Sequence, residues 1–554
     1  MENSWRMLKM VVNNPVISLP HLTNEIVRGA RKTKLCAYAV AVEGWRRGLT
    51  LKWYTIDSGK YDNMITFGVN PPGRLFSLSS KTKTHYFFRT RGDKVANDAV
   101  EIGSDKSLTK TILKEKGVPV PEGRKFTKED SDQAILEYAE TIKFPLVFKP
   151  TDASLGNGVV TNIKSISELK KAIDFVRHKS QYENVILERY VPGEEYRVYV
   201  IEDKVIAAYN RLPANVIADG KHTIKELIDL KNGARMKNAR LYSCLIDLDD
   251  ETMEYIQTAG YTLDSVPKKG EKILLKEKSN VSAGGDPIDV TDEIPQEMKQ
   301  IAIDAVKAVP GLYHAGVDII VDINSPIEKG AVVIELNPTA QIGGILFPME
   351  GQARDIPSGI VDYYFPDTIG TETEREKIYF DLNAVLEPLQ NRSAQEVTVL
   401  PALVGKIYTR RMIVKTNRKG ARFQRYIKES ALDLDISGHI TILDSNQIEV
   451  IVASSSMEKI EEFKRLIKAN NGIAKVKHIE IENWNSPVKI GFSMDESIDI
   501  DQLKNVGSLL KRAEKDKARL TKQKEQLQKR ARYIKESTSW RLTESFRTFR
   551  SKKN

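Results

Sequence analysis

Four short apolar segments between residues 144 and 338 each carry charged side chains among apolar neighbours. They are FPLVFKP (Phe144–Pro150), NVILERYV (Asn184–Val191), HAGVDIIVDI (His314–Ile323) and GAVVIELNP (Gly330–Pro338). Each has the length and composition of a buried strand. An ionised side chain is costly to bury without a partner, so a fold that buries these strands must bring the charges to one another or to a ligand.

The connections between these strands favour antiparallel sheets. EYRVYVIEDKVIAAYNRLP predicts a hairpin that turns at Glu202-Asp203, and a polar Asn-Ser-Pro turn joins the strands at 314–323 and 330–338. Helices alternate with strands here, but the hairpins are frequent. We therefore predict a chain of mixed α+β and α/β domains rather than a doubly wound parallel sheet.

A length of 554 residues predicts several domains. Before residue 105, we expect a helix near 21–48, a strand at 49–56 and irregular loops over 61–89, which is rich in Gly, Pro, Ser and Thr. Residues 404–494 contain the order strand, helix, strand, strand, helix, strand of a ferredoxin-like domain. The predicted division is an N-terminal α/β domain at 1–104, a sheet-rich domain at 105–370, a polar connector at 371–403, the ferredoxin-like domain at 404–494 and a basic helical tail at 500–554.

Most of the net charge of +10 belongs to the tail. From Lys504 onward there are 17 Lys and Arg against 5 Asp and Glu, so the rest of the chain is close to neutral. Ala513, Leu520, Leu527 and Ile534 recur every seven residues, but lysines at would-be core positions weaken a coiled coil; a paired helix and a solvated helix remain alternatives. The tail predicts contact with a membrane surface or a protein, or a homo-oligomer, with nucleic acid less favoured.

The rest of the composition points to a cytoplasmic protein. Cys36 and Cys244 are the only cysteines and lie far apart in sequence, which favours reduced thiols. No apolar run approaches the roughly 18 residues of a membrane span, and we expect no export. The basic tail adds the inner face of the membrane as an alternative location.

A glycine-rich loop follows the strand that ends at Pro150. Ser154, Gly156, Asn157 and Gly158 come shortly after Lys149. Backbone N–H groups of such a loop can approach a phosphate chain, and the lysine adds a point charge. Many loops contain two glycines, so this feature indicates phosphate binding only together with others.

The strand at 184–191 ends in polar residues suited to a nucleoside. Glu188 could accept a hydrogen bond from the amino group of adenine, while the backbone from Arg189 through Tyr190 to Val191 contacts the edge of the ring. Glu195 is then placed to accept from ribose hydroxyls. The alternative is an ordinary acidic surface loop.

Three oxygen donors occur on the strand pair at 314–338. Asp318 lies in an apolar strand, and Glu335 and Asn337 alternate, so their side chains share one face of the next strand. Such donors suit Mg²⁺ that bridges nucleotide phosphates, with Mn²⁺ as an alternative. The alternative is a polar hairpin end.

In this order, SDK…TK, FPLVFKP, GNGVV, VILERYVPGEEYRV, GVDIIVD and VVIELNP resemble the ATP-grasp superfamily of carboxylate–amine ligases, and in particular the ATP-grasp part of cyanophycin synthetases. GVPVPEG, RLPANVIADGKHTIKELI and NVSAGGDPIDVTDEI are also similar to that subfamily. The resemblance covers about residues 105–365. It implies an ATP-grasp fold, in which the nucleotide lies between two antiparallel sheets, and Mg²⁺-ATP as the bound nucleotide.

The resemblance also implies roles for individual residues. Lys106 and Lys149 would contact the phosphates, Arg211 would reach the γ-phosphate and the acyl phosphate, and Asp318, Glu335 and Asn337 would hold two Mg²⁺ ions. Ser282, Gly284 and Gly285 would lie close to the acceptor carboxylate. The implied reaction joins an amino acid or other amine donor to a carboxylate acceptor, on a peptide or a cell-surface glycan, through an acyl phosphate.

Two departures from the subfamily limit what is expected. No GxxxxGK[ST] motif of a second ATPase is present, so we expect no cyanophycin polymerisation. PTAQIGG follows Asn337 where such enzymes usually have a small SPG-like turn, so the amine pocket is expected to differ.

The 404–494 region resembles acylphosphatases and provides an alternative function, the hydrolysis of acyl phosphates. Gln424 stands where that family has its catalytic Arg, and Ile442 where it has an Asn, so we predict a non-catalytic domain; Arg422 and Arg425 lie nearby. A third alternative is a membrane- or nucleic-acid-associated binding protein that acts through the tail. The tail's STSWRLTESFR (Ser537–Arg547) resembles the ending of bacterial surface-polysaccharide glycosyltransferases, which suggested the glycan acceptor.

Overall fold

A computed structural model describes residues 15–151, 158–322, 325–417, 420–443 and 447–494, together with 517, 521 and 524–529 of the tail. Ser154, Gly156 and Asn157 of the glycine-rich loop therefore lie outside the described residues. So do Ala513, Leu520 and Ile534 of the tail and the segment 537–547. Within the described ranges, no helix is both long enough and apolar enough to cross a membrane.

The α-helices, numbered in chain order, are α1 (Leu35–Arg46), α2 (Asn97–Ser104), α3 (Lys106–Glu115), α4 (Asp132–Ile142), α5 (Ile166–Ile173), α6 (Ile224–Met236), α7 (Asp250–Thr258), α8 (Gln296–Ala308), α9 (Ile327–Gly330), α10 (Gly343–Leu346), α11 (Ile356–Tyr364), α12 (Leu382–Gln390), α13 (Ala421–Asp433) and α14 (Met457–Ala469).

The strands are β1 (Thr50–Tyr54), β2 (Leu75–Ser79), β3 (Thr84–Phe88), β4 (Arg91–Gly92), β5 (Gly123–Phe126), β6 (Leu146–Pro150), β7 (Val160–Ile163), β8 (Val185–Arg189), β9 (Glu194–Ile201), β10 (Lys204–Leu212), β11 (Asn215–Ile217), β12 (Lys272–Leu274), β13 (Asp286–Asp289), β14 (His314–Val321), β15 (Ala331–Asn337), β16 (Ile378–Tyr379), β17 (Glu396–Thr398), β18 (Tyr408–Thr416), β19 (Ser437–Ile442), β20 (Gln447–Ser454), β21 (Val476–Asn483), β22 (Val488–Lys489) and β23 (Phe492–Met494).

An antiparallel sheet of order β17-β1-β2-β3-β4 forms the N-terminal domain, and α1 packs on it. The prediction of irregular loops over 61–89 is wrong in part, because β2 and β3 occupy 75–79 and 84–88. Phe76 and Phe87, opposite each other in these strands, are fully buried and stack with ring centroids 5.0 Å apart. The helix expected over 21–48 is shorter, since 3₁₀ turns precede α1 at Arg28–Ala30 and Lys32–Lys34.

The segment at 371–403 differs from the polar connector predicted from its composition. It contains β16, α12 and β17, and β17 pairs with β1 at the edge of the N-terminal sheet. Phe380 is buried between Tyr38 and Trp45 of α1, with ring centroids 5.0 and 5.3 Å away. This segment therefore completes the N-terminal core.

Two further antiparallel sheets follow in the chain. The first has the order β5-β8-β6-β7 and is covered by α4 and α5, whose buried side chains share a core with it. The second has the order β13-β10-β9-β14-β15, and α2, α3 and α8 contribute to its core. The predicted hairpin at Glu202-Asp203 joins β9 to β10. The antiparallel sheets predicted for this region are confirmed.

The ferredoxin-like domain is also confirmed. β18, α13, β19, β20, α14 and β21 follow one another in the predicted order, and the sheet order is β21-β18-β20-β19-β23. All pairings are antiparallel except that of β19 with β23. In the tail, residues 524–529 are helical, and Leu527, predicted as a heptad core position, is exposed.

Candidate active site

One buried ionic cluster lies on the four-stranded sheet, where its two inner strands, β6 and β8, run side by side. Val147 of β6 stands opposite Glu188 of β8, so Lys149, two residues on, lies on the same sheet face as Glu188. Lys149 and Glu188 form an ion pair, and Lys110 of α3 forms a second ion pair with the same carboxylate. Sequence analysis missed Lys110, although it belongs to the quoted SDK…TK motif.

The carboxylate of Glu188 fits there because its neighbour on β5 is a glycine. A Cβ on Gly123 would lie 2.5 Å from the Cβ of Glu188, which no side chain could tolerate. Glu188, the predicted adenine contact, pairs with Lys149 through one carboxylate oxygen and with Lys110 through the other. A carboxylate has further lone pairs that can accept hydrogen bonds from a ligand.

The lysines of this cluster repel one another. Burial and, to a lesser extent, the neighbouring Lys106 lower the pKa of Lys149 to about 8, whereas Glu335 opposes the decrease. Burial together with Lys149 and Lys106 holds the pKa of Lys110 well below its usual value. Cations that are desolvated and crowded in this way are stabilised by an anion placed among them.

Helix α3 joins the two sheets around this cluster, because its Lys110 pairs with Glu188 of the four-stranded sheet and the helix packs on β15 of the five-stranded sheet. Lys149 belongs to the four-stranded sheet and Glu335 to β15 of the five-stranded sheet, yet the two charges interact. Beside them, the end of β6 at Thr151 and the α2–α3 junction at Glu101, Ser104 and Asp105 line a cavity of about 280 Å³. Asp105 is the N-cap residue of α3, so this cavity lies beside the helix that joins the two sheets.

The three predicted metal ligands share one face of the five-stranded sheet. Asp318 of β14 lies opposite Glu335 of β15, and Asn337 follows two residues later, opposite Gly316. Asn337 has a buried Nδ2 atom without a hydrogen-bond partner among the described residues. Two carboxylates and an amide oxygen fit a hard cation such as Mg²⁺. The described ranges contain no group of three or more His, Cys, Asp or Glu side chains that could hold a metal.

Asp318 is already engaged by two arginines. Arg197 Nε and Nη2 donate to its carboxylate at 2.5 and 2.6 Å, and Arg211 Nη2 donates at 3.2 Å. These guanidinium groups keep the pKa of Asp318 below its usual value in spite of burial. Sequence analysis missed Arg197, although an arginine inside the apolar strand EYRVYV is the same kind of signal as Asp318 in VDIIVDI.

Arg211 also pairs with Glu195, the predicted ribose contact. Arg211 of β10 lies opposite Glu195 of β9, and its Nη1 donates to the carboxylate at 2.6 Å. Burial raises the pKa of Glu195, and Arg211 counteracts this effect. Arg211 therefore lies between Glu195 and Asp318. It links the residue predicted to bind ribose with a residue predicted to bind the metal.

The backbone segment predicted to contact adenine is partly used within the protein. Arg189 N–H donates to Glu122 O at 2.8 Å, and Tyr190 N–H donates to Pro145 O at 2.9 Å. Side chains of Arg189, Tyr190 and Val191 are exposed or half-buried. Gly158, at the described end of the glycine-rich loop, has a φ of +67° and packs near Pro150, which keeps it beside the end of β6.

The predicted acceptor loop lies beside Arg211, at the C-terminal end of β10. Gly285 immediately precedes β13, in which Asp286 pairs with Leu212 and Pro287 with Arg211. A Cβ on Gly285 would lie 2.7 Å from Leu212 O, so only glycine permits this approach.

The other two predicted residues of this loop are also fixed by close contacts. Ser282 Oγ accepts a hydrogen bond from Arg240 Nη2 at 3.3 Å. A Cβ on Gly284, whose φ is +96°, would lie 2.9 Å from Ile246.

Two family models match the chain. Residues 112–263 match the model described as D-ala D-ala ligase C-terminus, and residues 411–494 match the acylphosphatase model. Together with the paired antiparallel sheets, these matches define an ATP-grasp domain followed by an acylphosphatase domain.

Among individual proteins, the chain is similar to the cyanophycin synthetase of Trichormus variabilis, with 31% identity over 424 residues that cover 76% of this chain and 43% of the relative. It is 34% identical over 274 residues to the bifunctional glutathione biosynthesis protein of Streptococcus mutans, covering 48% of this chain and 35% of the relative. The chain thus spans less than half the length of these relatives.

A solved structure, the bifunctional glutathione synthetase from Pasteurella multocida, is similar with a TM-score of 0.42 and 28% identity, and the match covers 53% of this chain and 40% of that protein.

Proposed function

We propose that this chain is an ATP-dependent carboxylate–amine ligase that forms an amide or peptide bond through an acyl phosphate. The observation that carries the proposal is the meeting of the two sheets at α3, whose Lys110 pairs with Glu188 of the four-stranded sheet while the helix packs on β15, the strand of Glu335 and Asn337. A triphosphate between the sheets would meet the crowded lysines on one side and the oxygen donors on the other. The names of the relatives, cyanophycin synthetase and glutathione biosynthesis protein, support the same class of reaction.

The reaction proceeds in two displacement steps. A carboxylate oxygen of the acid attacks the γ-phosphorus of ATP, the bond to the β-phosphate oxygen breaks, and ADP leaves. An amine then attacks the carbonyl carbon of the acyl phosphate, loses a proton and expels phosphate, so that an amide remains. No protein nucleophile takes part, and the protein supplies positioning and charge.

Lys149, with Lys106 and Lys110 beside it, stabilises the phosphates of ATP. Arg211, whose guanidinium lies between Glu195 and Asp318, would stabilise the transferring phosphoryl group and the acyl phosphate by exchanging one carboxylate contact for the phosphate. By its resemblance to the ATP-grasp superfamily, the glycine-rich loop at 154–158 would fold over the phosphates and exclude water that would hydrolyse the intermediate. Glu188, with the backbone from Arg189 to Val191, contacts the adenine, and Glu195 contacts the ribose.

Asp318, Glu335 and Asn337 would hold Mg²⁺, with Mn²⁺ as an alternative. When bound, the metal would neutralise the charge that spreads over the phosphate oxygens. Binding requires Asp318 to share its oxygens with the metal and the two arginines, which four lone-pair positions on a carboxylate allow.

We further propose an amino acid as the amine donor and a carboxylate on a peptide or a cell-surface glycan as the acceptor, with Ser282, Gly284 and Gly285 beside the acceptor. The protein works in the cytoplasm or at the inner face of the membrane, and the basic tail provides a membrane or protein contact, or a homo-oligomer. The glycan and membrane alternatives rest on the sequence of the tail alone.

The test is a screen for ADP release. The full chain is incubated with Mg²⁺-ATP, each of the twenty amino acids and a panel of peptide and uronic-acid carboxylates, and conjugates are detected by mass. We expect ADP release only in the presence of one acid–amine pair, and its loss in Lys149→Met and Glu335→Gln. Lys171→Met, on the exposed face of α5, is the control and should retain full activity. If no pair releases ADP while ATP still binds, the ligase proposal is refuted.

Acyl-phosphate hydrolysis is a weaker alternative for the acylphosphatase domain. Gln424 of α13 and Ile442 of β19 replace the residues on which that family relies, and Arg422 and Arg425 are exposed on α13. We therefore propose a non-catalytic domain.

A further inference from the structure

Three cationic side chains meet at one end of the N-terminal sheet, outside the site described above. Arg74 precedes β2 and Arg89 follows β3; the N–H of Arg89 donates to Arg74 O at 2.9 Å, so the two residues stand opposite each other as the strands diverge. Lys34, just before α1, packs along the same segment, since a Cβ on Gly73 would lie 3.0 Å from its Cδ. We refer to Lys34, Arg74 and Arg89 as the basic triad.

The basic triad has no acidic partner in the described parts of the chain. Arg74 is only 8% exposed, yet neither its side chain nor those of Arg89 and Lys34 form a hydrogen bond or an ion pair with any described residue. The Nε atoms of Arg74 and Arg89 are both buried and unpaired. Elsewhere, buried arginines such as Arg46 and Arg91 donate to several carbonyl oxygens. By contrast, the buried Nε atoms of Arg74 and Arg89 remain unsatisfied.

The charges within the triad oppose one another. Burial lowers the pKa of Arg74; burial and the neighbouring Arg74 lower the pKa values of Arg89 and of Lys34. Buried donors without partners and like charges in contact are both unfavourable, and an anion relieves both. A guanidinium pair presents planar N–H groups that match a carboxylate.

The conformation of Arg89 is also unusual. Its φ is +59°, in the left-handed region that a residue with a branched or long side chain seldom adopts. The guanidinium carbon lies 4.9 Å from the ring centroid of Phe67 and 5.1 Å from that of Phe88. The backbone and the two rings fix the direction of the side chain, and residues held in this way are concentrated at binding sites.

The basic triad borders the face that carries the oxygen donors. Thr90, next to Arg89, donates from Oγ1 to Ala340 O at 3.0 Å, and Ala340 lies three residues after Asn337. The side chain of Ala340 also packs over Gly316, since a Cβ there would lie 2.8 Å from it, and Gly316 is the strand partner of Asn337. Contacts through Thr90, Ala340 and Gly316 therefore connect Arg89 with Asn337.

We propose that Lys34, Arg74 and Arg89 bind a carboxylate of a ligation substrate, and that this carboxylate does not itself react. This inference rests on the proposed function, in which the reacting carboxylate lies at Arg211 and Glu335. The carboxylate at the triad would then be either a second anionic group of the same acid or the carboxylate of the amino-acid donor. It assigns the substrate class: one of the two substrates carries an anionic group that remains in the product.

The first experiment measures binding directly on the full chain. Unfolding midpoints are compared with glutarate, its neutral diamide glutaramide and inorganic phosphate at equal ionic strength, for the wild type, Lys34→Gln, Arg89→Gln and the control Lys81→Gln, an exposed lysine at the β2–β3 turn. We expect glutarate to raise the midpoint more than glutaramide does, and this difference to vanish in Lys34→Gln and Arg89→Gln but not in Lys81→Gln. Equal midpoints with glutarate and glutaramide in the wild type, or stabilisation by phosphate alone, would overturn the carboxylate assignment.

The second experiment uses the acid–amine pair found by ADP release. Loss of a charge-assisted contact should raise the KM of the anionic substrate by about ten- to a hundredfold in Arg89→Gln with kcat little changed. Two analogues identify which substrate reaches the triad: the acid with its non-reacting carboxylate replaced by an amide, and the donor amino acid as its amide. For the substrate that contacts the triad, the amide analogue should have the same KM in Arg89→Gln as in the wild type. Unchanged KM values with intact turnover would refute the triad's role and leave the ligase proposal standing. Absence of ADP release with every pair would refute the ligase proposal itself.

Discussion

The low pKa of Lys149 makes nucleotide affinity depend on pH in a definite direction. In the free protein, burial and Lys106 lower this pKa to about 8, so the ammonium loses its proton as the pH rises through about 8. Phosphates placed beside Lys149 favour its charged form and raise its pKa. Nucleotide binding must then be accompanied by proton uptake, and it must weaken above pH 8.

The size of the effect follows from the fraction of protonated lysine. At pH 7 nearly all Lys149 side chains are charged, whereas at pH 9, one unit above the pKa, about one in eleven is charged. If the nucleotide-bound pKa lies well above 9, the dissociation constant rises by about tenfold between pH 7 and pH 9. Lys110, whose pKa is also lowered, changes the affinity in the same direction.

Isothermal titration of a non-hydrolysable ATP analogue with Mg²⁺, from pH 6.5 to 9.5, measures this dependence. At pH 8, repeating the titration in buffers of different ionisation enthalpy should reveal uptake of about half a proton or more. Lys149→Met should bind more weakly at pH 7 and lose most of the pH dependence, while Lys171→Met should follow the wild type. A wild-type affinity that is constant to pH 9.5, or an equal slope in Lys149→Met, would refute the argument that Lys149 contacts the phosphates.

Three further outcomes follow from the contacts. Asp318→Asn should lower the free energy of unfolding in urea by about 3 kcal/mol or more, because Arg197 and Arg211 would lose a buried counter-charge; an unchanged midpoint would contradict the ion-pair network. Phe380→Ala should cost about 3–5 kcal/mol of stability, since its ring packs on two aromatic rings of α1; a loss below 1 kcal/mol would show that the segment is a loose connector. The full chain should hydrolyse benzoyl phosphate no faster than buffer does, because Gln424 stands in the place of an arginine, and a rate above the buffer blank would disprove this.

Charged residues inside apolar strands were predictable because each is a local anomaly of sequence. Lys149, Glu188, Asp318 and Glu335 all interrupt runs that otherwise indicate burial. The same rule would have identified Arg197, whose role was missed because its partner lies 121 residues away. A strand pattern shows that a charge is buried, but not which charge balances it.

The N-terminal domain was the least predictable part of the fold. β17 pairs with β1 across more than 340 residues, and no local pattern in Glu396–Thr398 indicates its partner. The segment 61–89 is rich in Gly, Pro, Ser and Thr, and this composition predicted loops. The structure instead contains β2 and β3, which are formed by pairing with neighbouring strands. The basic triad depends on these two strands, which is why sequence analysis could not find it.

The acylphosphatase domain is joined to the N-terminal domain by a shared core rather than by a linker. Ile451 and Ala453 of β20 and Val488 of β22 are buried in the same apolar cluster as α1, and β22 pairs in parallel with β16. Removing the domain would expose these apolar contacts and disturb the sheet that carries Arg74 and Arg89. Loss of activity on truncation would therefore not distinguish a catalytic domain from a supporting one. Point substitutions on its exposed surface, such as Arg422→Ala, separate the two roles, because they leave the shared core intact.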